Sequence, residues 1–279
     1  MKILLFGGHG LLGNDIYEVL KAEGHDILRF SRDEVDLLNR SLLKEKIEDF
    51  RPQLVINAAG YTDVANAERN FKEAFSANCI GVHNLISACE YVQPTLIHFS
   101  TDYVFDGKKT SPYQEEDVRY ALNHYGWSKL IAEDIITANY KKFFIIRTSW
   151  LFGVNGKCFP KTIVEKLKLN MPLTIVTDQI GSPTYTLDIA KNTINILKMP
   201  YGVYHITNSG HVSWYEYAKE IACLLNYKDI KIKSISSDEL DTGVERPVNS
   251  VLDNSKWTQF NKPLRSYSEA LREYLNKIS

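Results

Sequence analysis

The chain carries Gly7-Gly8-His9-Gly10-Leu11-Leu12-Gly13 directly after the apolar run Lys2 to Phe6, at the start of an amphipathic segment. Its glycines have the spacing G-x-x-G-x-x-G. In a strand-loop-helix unit, Gly7 would permit a tight turn, Gly10 would let a pyrophosphate approach the backbone, and Gly13 would allow close helix packing. The amides at the N-terminus of such a helix attract an anion. The loop therefore predicts a dinucleotide site, although the same pattern taken alone also occurs in purely structural turns.

Short apolar runs rich in branched residues recur along the first half of the chain, with amphipathic stretches between them. The runs are Lys2 to Phe6, Asp26 to Phe30, Gln53 to Asn57, Thr95 to Ser100 and Phe143 to Thr148. This β–α alternation predicts a parallel sheet with helices on both faces, because parallel strands need long crossover connections. Residues 1–150 are therefore predicted to form a doubly wound, Rossmann-type α/β core.

After residue 150 the alternation becomes less regular. We predict helices at 159–169 and 187–198, and two later helices that begin with Ser-x-x-Glu capping boxes at Ser213 and Ser266. Residues 151–279 are expected to form mainly a smaller C-terminal α/β lobe that binds the substrate, with the site between it and the core. The boundary is soft, since later strands can return to the first sheet.

Composition narrows the class of protein. The 33 basic and 34 acidic side chains are mixed along the chain and give a net charge of −1, so no nucleic-acid or membrane partner is expected. No apolar run reaches the roughly 18 residues that span a bilayer, and the start of the chain does not resemble a signal peptide, so we expect a cytoplasmic protein. The 4 cysteines form no CxxC pair and the 7 histidines form no ligand motif, so no metal is expected.

The residues after the second apolar run bear on the choice of coenzyme. Ser31 and Arg32 stand where an NAD-selective enzyme usually carries an acid for the ribose 2′-hydroxyl. Arg32 could pair with a 2′-phosphate, which slightly favours NADPH over NADH. Asp33 and Glu34 weaken that inference, and a solvated surface arginine is the alternative interpretation.

Tyr125 and Lys129 form a Tyr-x-x-x-Lys motif inside a segment with helical periodicity. Residues four apart share one face of a helix. An adjacent ammonium favours the phenolate and should lower the pKa of Tyr125, so that proton transfer to a developing alkoxide becomes feasible. The alternative is a surface tyrosine beside a surface lysine, because the motif alone occurs often by chance.

Ser100 and Thr101 lie at the predicted carboxyl end of the fourth strand, where open sheets bind ligands. A hydroxyl group there can hydrogen-bond the substrate oxygen while Tyr125 protonates it. We select Thr101 for that role, with Ser100 as the neighbouring candidate and a strand-ending turn as the alternative interpretation.

These three elements, in this order, resemble the extended short-chain dehydrogenase/reductase superfamily. Five further segments resemble the dTDP-4-dehydrorhamnose reductase family: Asn57 to Glu68, Thr101 to Gly107, Arg147 to Gly153, Asp178 to Thr184 and Arg246 to Asn254. The resemblance covers nearly the whole chain, and the combination is more specific than any single motif.

The resemblance implies the residues of the site. Beside Gly7 and Gly13 of the loop and Arg32, the implied cofactor contacts are Gly10, Leu11, Leu12, Asp36, Leu37, Ala59, Gly60, Tyr61, Tyr125 and Lys129. The implied substrate contacts are Val64, Thr101, Asp102, Tyr103, Trp150 and Arg246. Two of these have alternatives, since Trp150 is as consistent with the core and Arg246 with the surface.

The resemblance also implies a reaction, the reduction by NADPH or NADH of the C4 ketone of a dTDP-4-dehydro-6-deoxyhexose. Dehydration is disfavoured because related 4,6-dehydratases place an Asp-Glu pair after the threonine, whereas Tyr103 follows Asp102 here. A reductase of a related nucleotide-linked keto-sugar and a non-catalytic subunit like the regulatory partner of methionine adenosyltransferase remain alternatives. Some family members are metal-linked dimers, but Asn14 stands where the first acidic ligand is sought, so we expect no metal and either a monomer or a homodimer.

Overall fold

The structure is a computed structural model that describes residues 1–227, 230–240 and 243–278. Its strands are β1 (Lys2–Phe6), β2 (Asp26–Phe30), β3 (Leu54–Asn57), β4 (Thr95–Thr101), β5 (Phe143–Thr148), β6 (Leu151–Phe152), β7 (Leu173–Val176), β8 (Ile180–Gly181), β9 (Thr184–Tyr185), β10 (Gly202–His205), β11 (Val212–Ser213) and β12 (Ile232–Ile235). Its α-helices are α1 (Leu11–Ala22), α2 (Arg40–Phe50), α3 (Val64–Arg69), α4 (Phe71–Phe75), α5 (Gly81–Ala88), α6 (His124–Asn139), α7 (Phe159–Lys168), α8 (Thr186–Asn192), α9 (Trp214–Leu224), α10 (Ser255–Thr258) and α11 (Tyr267–Ile278). A π-helical turn at Ser76–Ile80 joins α4 to α5, and 3-10 helices lie at Asp102–Val104, Thr193–Lys198 and Ser237–Glu239.

The central sheet is parallel throughout and has the strand order β2-β1-β3-β4-β5-β10. Side chains of β1 alternate between its faces. Ile3 and Leu5 belong to the apolar cluster that includes residues of α1 and α8. Leu4 and Phe6 belong to the cluster that includes residues of α2, α5 and α6. Because helices cover both faces, the inner strands are nearly continuous apolar runs, and the predicted doubly wound α/β class is confirmed.

The strand order reverses between β1 and β3, since the chain leaves β1 toward β2 on one side and returns to β3 on the other. Open α/β sheets bind ligands beyond the carboxyl ends of their strands at such a point. The loops after β1 and β3 meet there so closely that a Cβ on Gly7 would lie 2.5 Å from the backbone nitrogen of Ala59. Gly7 also has a φ of 75°, so both the space and the backbone conformation require glycine.

The second half of the chain extends the sheet and builds a separate layer. β10 pairs with β5 at the edge of the central sheet. The strand pairs β6–β9, β7–β12 and β8–β11 lie in the second half, where Phe152, Tyr217 and Leu271 are buried members of a third apolar cluster. β5 runs through Trp150 directly into β6, so this layer borders the carboxyl end of the sheet.

Several local predictions can be compared with the structure. The helix predicted at 187–198 is α8 followed by a 3-10 helix from Thr193. The capping box at Ser266 is complete, because Ser266 and Glu269 exchange hydrogen bonds of 3.0 and 3.2 Å. Ser213 caps α9, but the carboxylate of Glu216 pairs with Lys219 instead of returning to the cap. Within the described part of the chain, no helix has both the length and the apolar character needed to cross a membrane.

Candidate active site

The loop after β1 forms a tight turn at the N-terminus of α1. Gly7 and Gly8 donate backbone hydrogen bonds of 3.0 and 3.1 Å to the carbonyl oxygen of Phe30, which ties the loop to the end of β2. A Cβ on Gly13 would collide with the carbonyl oxygen of Gly7, so α1 packs directly on the turn. Gly10 caps α1 without a side-chain hydrogen bond, which leaves the first amides of the helix available to an anion. This cradle fits a pyrophosphate.

A cavity of about 500 Å³ extends from the cradle to the end of β2. Its lining includes the predicted cofactor residues Gly7, Gly10, Arg32, Asp36, Leu37, Ala59, Gly60 and Tyr61. Arg32 is exposed at the rim, with its Nε 3.4 Å from Asp36 Oδ2. Binding of a 2′-phosphate by Arg32 would therefore replace its contact with Asp36.

A second cavity, of about 570 Å³, shares Gly10 and the loop after β3 with the first, so one groove runs across the carboxyl end of the sheet. It is lined by further predicted residues: Leu11, Leu12, Val64, Thr101, Asp102, Tyr103, Tyr125, Lys129 and Trp150. In the described structure, two predicted residues line neither cavity. Gly13 lies under the turn, and Arg246 contacts the side chain of Tyr103.

Tyr125 lies in the first turn of α6, which begins where Asn123 Oδ1 accepts a 2.8 Å hydrogen bond from the backbone nitrogen of Gly126. Burial raises the pKa of Tyr125 to about 12; the neighbouring Thr101 hydroxyl opposes this rise and Asp102 adds to it. The expectation that Lys129 lowers the pKa of Tyr125 is therefore not met in this structure. Desolvation of the phenolate outweighs its stabilisation by the Thr101 hydroxyl, and the phenol stays protonated at neutral pH.

Lys129 lies one turn further along α6 and is almost fully buried, with 5% of its surface exposed. Its Nζ donates to the carbonyl oxygen of Phe99 at 2.7 Å and lies 3.2 Å from His98 Nε2. Burial lowers the pKa of Lys129 to about 8, although Glu133 opposes this shift. Contacts with β4 therefore hold Lys129 at the floor of the cavity. The alternative interpretation, a surface lysine beside a surface tyrosine, is wrong.

Thr101 ends β4, and its hydroxyl donates to Asp102 Oδ1 at 3.0 Å. Burial raises the pKa of Asp102 to about 6, and the nearby hydroxyls of Ser250 and Thr101 only partly offset this rise. Within the described residues, Asp102 Oδ2 has no hydrogen-bond partner. A buried polar atom is normally paired, so this oxygen is suited to receive a hydrogen bond from a bound ligand.

Ser100, the neighbouring candidate, is engaged elsewhere. Its hydroxyl donates a 2.5 Å hydrogen bond to the fully buried carboxylate of Glu133. Arg147 forms an ion pair with the same carboxylate at 2.8 Å, and Arg119 does so at 3.1 Å. These contacts fix the end of β4 against α6 and leave Thr101 as the hydroxyl suited to a substrate.

The wall opposite Tyr125 is aromatic. Trp150 stacks on Trp214 with ring centroids 3.3 Å apart and an interplanar angle of 3°. The φ of Trp150 is 47°, and Gly181 leaves the space that its indole occupies. Trp150 therefore lines the cavity and is not a core residue, while Trp214 from α9 joins it without any signal in the sequence.

Sequence reasoning also missed the polar residues behind the cavity. Asn78, on the π-helical turn, accepts from the backbone nitrogen of Tyr61 at 2.8 Å and donates to Ser128 Oγ at 2.8 Å. π-Helical turns are frequent at functional sites because they redirect side chains. The side chain thereby joins the loop after β3 to α6. Among the described residues no group of three or more His, Cys, Asp or Glu side chains could hold a metal ion.

Comparisons with known proteins agree with this geometry. The family model described as RmlD substrate binding domain matches residues 1–279. The chain is 34% identical to the spore coat polysaccharide biosynthesis protein SpsK of Bacillus subtilis, over 100% of the chain and 98% of that protein. It is 35% identical to the dTDP-4-dehydrorhamnose reductase of Aggregatibacter actinomycetemcomitans, over 96% of the chain and 99% of that protein.

Among solved structures, the chain is similar to a dTDP-4-dehydrorhamnose reductase from Bacillus anthracis in complex with NADP, with a TM-score of 0.95, 33% identity, and 99% of each chain covered. A UDP-glucose 4-epimerase from Thermus thermophilus in complex with NAD has a TM-score of 0.85 at 18% identity, over 99% of this chain and 98% of that one, and shares the fold alone. Full-length agreement in sequence and structure shows that the chain belongs to the dTDP-4-dehydrorhamnose reductase family.

Proposed function

We propose that this protein reduces the C4 ketone of a dTDP-4-dehydro-6-deoxyhexose, with dTDP-4-dehydro-L-rhamnose as the substrate and dTDP-L-rhamnose as the product. One observation carries the proposal. Thr101, Tyr125 and Lys129 surround a single cavity that continues into the dinucleotide groove. The full-length match to reductases supports the same conclusion.

The groove fits NAD(P)H. The turn at Gly7 and the uncapped start of α1 would hold the pyrophosphate, and the loop from Ala59 to Tyr61 would lie against the dinucleotide. When bound, the reduced nicotinamide supplies the hydride. NADPH is favoured over NADH by Arg32 at the rim and by the NADP complex of the Bacillus anthracis relative.

Tyr125 donates the proton from its Oη to the substrate oxygen that becomes the new hydroxyl. Its raised pKa suits an acid, because the phenol is fully protonated at neutral pH. Thr101 and Asp102 hydrogen-bond the sugar at the end of β4 and hold the ketone toward Tyr125. Lys129 binds the ribose next to the nicotinamide.

The remaining substrate contacts are assigned to the cavity wall. Val64, Tyr103 and Trp150 line it, and the stacked Trp150 and Trp214 supply a flat apolar surface for the nucleotide sugar. Arg246 acts through Tyr103, which it contacts.

The proposal also includes the organisation of the protein. Residues 1–150 form the NAD(P)-binding core, and residues 151–279 mainly the substrate-binding lobe, with β10 as a segment that extends the core sheet. The proposal also places the protein in the cytoplasm as a monomer or homodimer, with the dTDP-sugar as its substrate and no nucleic-acid or membrane partner.

The test is oxidation of NADPH or NADH, followed by absorbance, with dTDP-4-dehydro-L-rhamnose as the substrate. We expect turnover by the wild type and a loss of roughly 10²–10⁴-fold in kcat in Tyr125→Phe. Tyr91→Phe is the matched control, because Tyr91 is exposed outside the groove. Turnover with a different dTDP-linked keto-sugar, but not with dTDP-4-dehydro-L-rhamnose, would change the assigned substrate. No turnover with any dTDP-linked keto-sugar would favour the alternative of a non-catalytic regulatory subunit.

A further inference from the structure

A histidine lies directly behind Lys129 and has no part in the chemistry proposed above. His98 and Asn57 are both 0% exposed, on the neighbouring strands β4 and β3. His98 Nε2 lies 3.2 Å from Lys129 Nζ, and His98 Nδ1 lies 3.1 Å from Asn57 Nδ2. Among the described residues, one polar side chain lies within hydrogen-bonding distance of each imidazole nitrogen. The proton positions along Asn57, His98 and Lys129 therefore affect the charge of Lys129.

The orientation of Asn57 is determined by the backbone. The amide nitrogen of Ala59 lies 3.1 Å from Asn57 Oδ1 and can only donate. The side-chain oxygen of Asn57 must face it, so the NH₂ group faces His98 and donates to Nδ1. An imidazole that accepts at Nδ1 carries its proton on Nε2 when it is neutral. Burial holds the pKa of His98 well below its usual range.

The Nε2–H of His98 consequently points at Lys129 Nζ. An ammonium group has no lone pair and cannot accept this proton. A neutral amine can accept it and still donate to the carbonyl oxygen of Phe99. With the other tautomer of His98, Nδ1–H would oppose the NH₂ of Asn57. Rotation of that amide would only move the conflict to Ala59.

We propose that Asn57 and His98 act as a positioning pair that favours the neutral amine of Lys129 over its ammonium form in the cofactor-free protein. Among the arrangements of these groups, this one leaves no two donors facing each other. A lowered proton affinity of buried Lys129 is in the same direction. The pair therefore sets the pH at which Lys129 gains its charge.

The other groups that face Lys129 do not reverse this conclusion. Cys79 approaches it from the π-helical turn, and burial raises the pKa of that thiol to about 11, which keeps it neutral. Tyr125 and Glu133 share α6 with it. Burial keeps Tyr125 a neutral phenol, and the negative charge of Glu133 is already paired with Arg147 and Arg119.

A second buried histidine provides an internal reference. His205 Nδ1 lies 3.0 Å from the carbonyl oxygen of Tyr113, and its Nε2 lies 3.2 Å from Arg147 Nη1. Because a guanidinium always donates, His205 must carry its proton on Nδ1. The two buried histidines are thus expected to be opposite tautomers, one beside a lysine and one beside an arginine.

The first test needs neither cofactor nor substrate. Long-range ¹H–¹⁵N spectra of the histidine rings are recorded over a pH series on ¹⁵N-labelled, cofactor-free protein. We expect the rings of His98 and His205 not to titrate, with the proton on Nε2 in His98 and on Nδ1 in His205. His98→Gln assigns the signals, and if that variant does not fold, Asn57→Asp assigns them. A proton on Nδ1 of His98, or a charged His98, would overturn the proposal.

A variant of Asn57 tests whether it controls the tautomer of His98. Asn57→Asp presents an acceptor to Nδ1, so we expect the proton of His98 to move from Nε2 to Nδ1. If the proton stays on Nε2, Asn57 does not control the tautomer.

A variant of His98 tests whether it controls the charge of Lys129. In ¹³C-lysine-labelled protein, His98→Gln should raise the titration midpoint of Lys129 by about one pH unit, because glutamine can turn an oxygen toward the ammonium. His83→Gln, at an exposed site, is the control. An unchanged midpoint in His98→Gln would contradict the proposal.

The effect on turnover rests on the proposed function. In His98→Gln the pH profile of kcat/KM should move in the same direction as the Lys129 midpoint, whereas a merely structural role would lower kcat/KM without moving the profile. A protein without reductase activity would refute the proposed function, while the tautomer and the lysine midpoint would still be measured.

Discussion

The two ends of the groove hold their charges in opposite ways. At the end beside β2, Arg32 and Asp36 form an ion pair in which the side chains are 70% and 38% exposed. Behind the end that holds Tyr125 and Lys129, the side chains of the ion pair between Arg147 and Glu133 are 2% and 0% exposed. Burial is also the leading cause of the shifted pKa values of Tyr125, Lys129 and Asp102.

The difference follows from what each end must do. Under the proposed function, the Arg32 rim binds one phosphate of an exchangeable cofactor, and solvated charges suit this because they cost little to leave unpaired. A site that moves a proton needs groups whose proton affinities are shifted, and only a low-dielectric environment shifts them far. The buried ion pair beneath the site joins β5 to α6, which carries Tyr125 and Lys129, and Ser100 joins β4 to the same carboxylate.

The largest effect is expected from breaking the buried ion pair. Arg147→Met leaves the buried carboxylate of Glu133 with the ion pair to the partly exposed Arg119 and the hydrogen bond from Ser100, so it should lower the free energy of unfolding by about 3–5 kcal/mol. The matched change at the other end, Arg32→Met, should cost at most about 0.5 kcal/mol. Urea denaturation of both variants measures the contrast, and equal losses would refute it.

The double variant Arg147→Met with Glu133→Leu sharpens the same comparison. Because an apolar pair avoids the desolvation of two charges, the double variant should be more stable than Arg147→Met alone. A double variant that is less stable than the single one would show that losing the contacts of Ser100 and Arg119 with Glu133 costs more than leaving the carboxylate buried without Arg147.

A smaller effect, of opposite sign, is expected at Asp102. Its pKa is raised in the folded state from 3.8 to about 6, so its contribution to stability is full below pH 3.8 and is lost as the pH rises through 6. The free energy of unfolding of Asp102→Asn should therefore exceed that of the wild type by roughly 2–3 kcal/mol at pH 8, and by much less at pH 4. Denaturant titration at both pH values measures this difference. Asp33→Asn, at an exposed position outside the groove lining, is the control. A difference that does not depend on pH would show that Asp102 is not desolvated as the structure indicates.

The smallest effect concerns the coenzyme. Arg32→Ala should weaken binding of NADPH about tenfold, equivalent to about 1.4 kcal/mol, and leave binding of NADH nearly unchanged. Fluorescence titration with each coenzyme measures the two dissociation constants. Equal losses for both coenzymes would show that Arg32 does not bind the 2′-phosphate and remains paired with Asp36.

Much of the fold was predictable from local patterns. The five apolar runs became β1 to β5 because a parallel sheet covered on both faces requires apolar side chains on both sides of each strand. The glycine loop and Tyr-x-x-x-Lys were equally visible, since a tight turn and a shared helix face depend on spacings of a few residues. Trp214 and Asn78 were not visible, because Trp214 lines the cavity and Asn78 supports it from behind only through contacts with segments distant in the chain.

The sequence by itself determined the doubly wound core, the position of the glycine loop and the identity of the residues at the carboxyl ends of the strands. Only the tertiary structure decided their proton affinities. Lys129 was expected to lower the pKa of Tyr125, yet burial raises it, and Lys129 is itself directed toward Phe99 and His98. Spacing along the chain places two side chains on one face, but desolvation depends on everything that packs around them, and those groups come from β3, β4, α6 and the π-helical turn together.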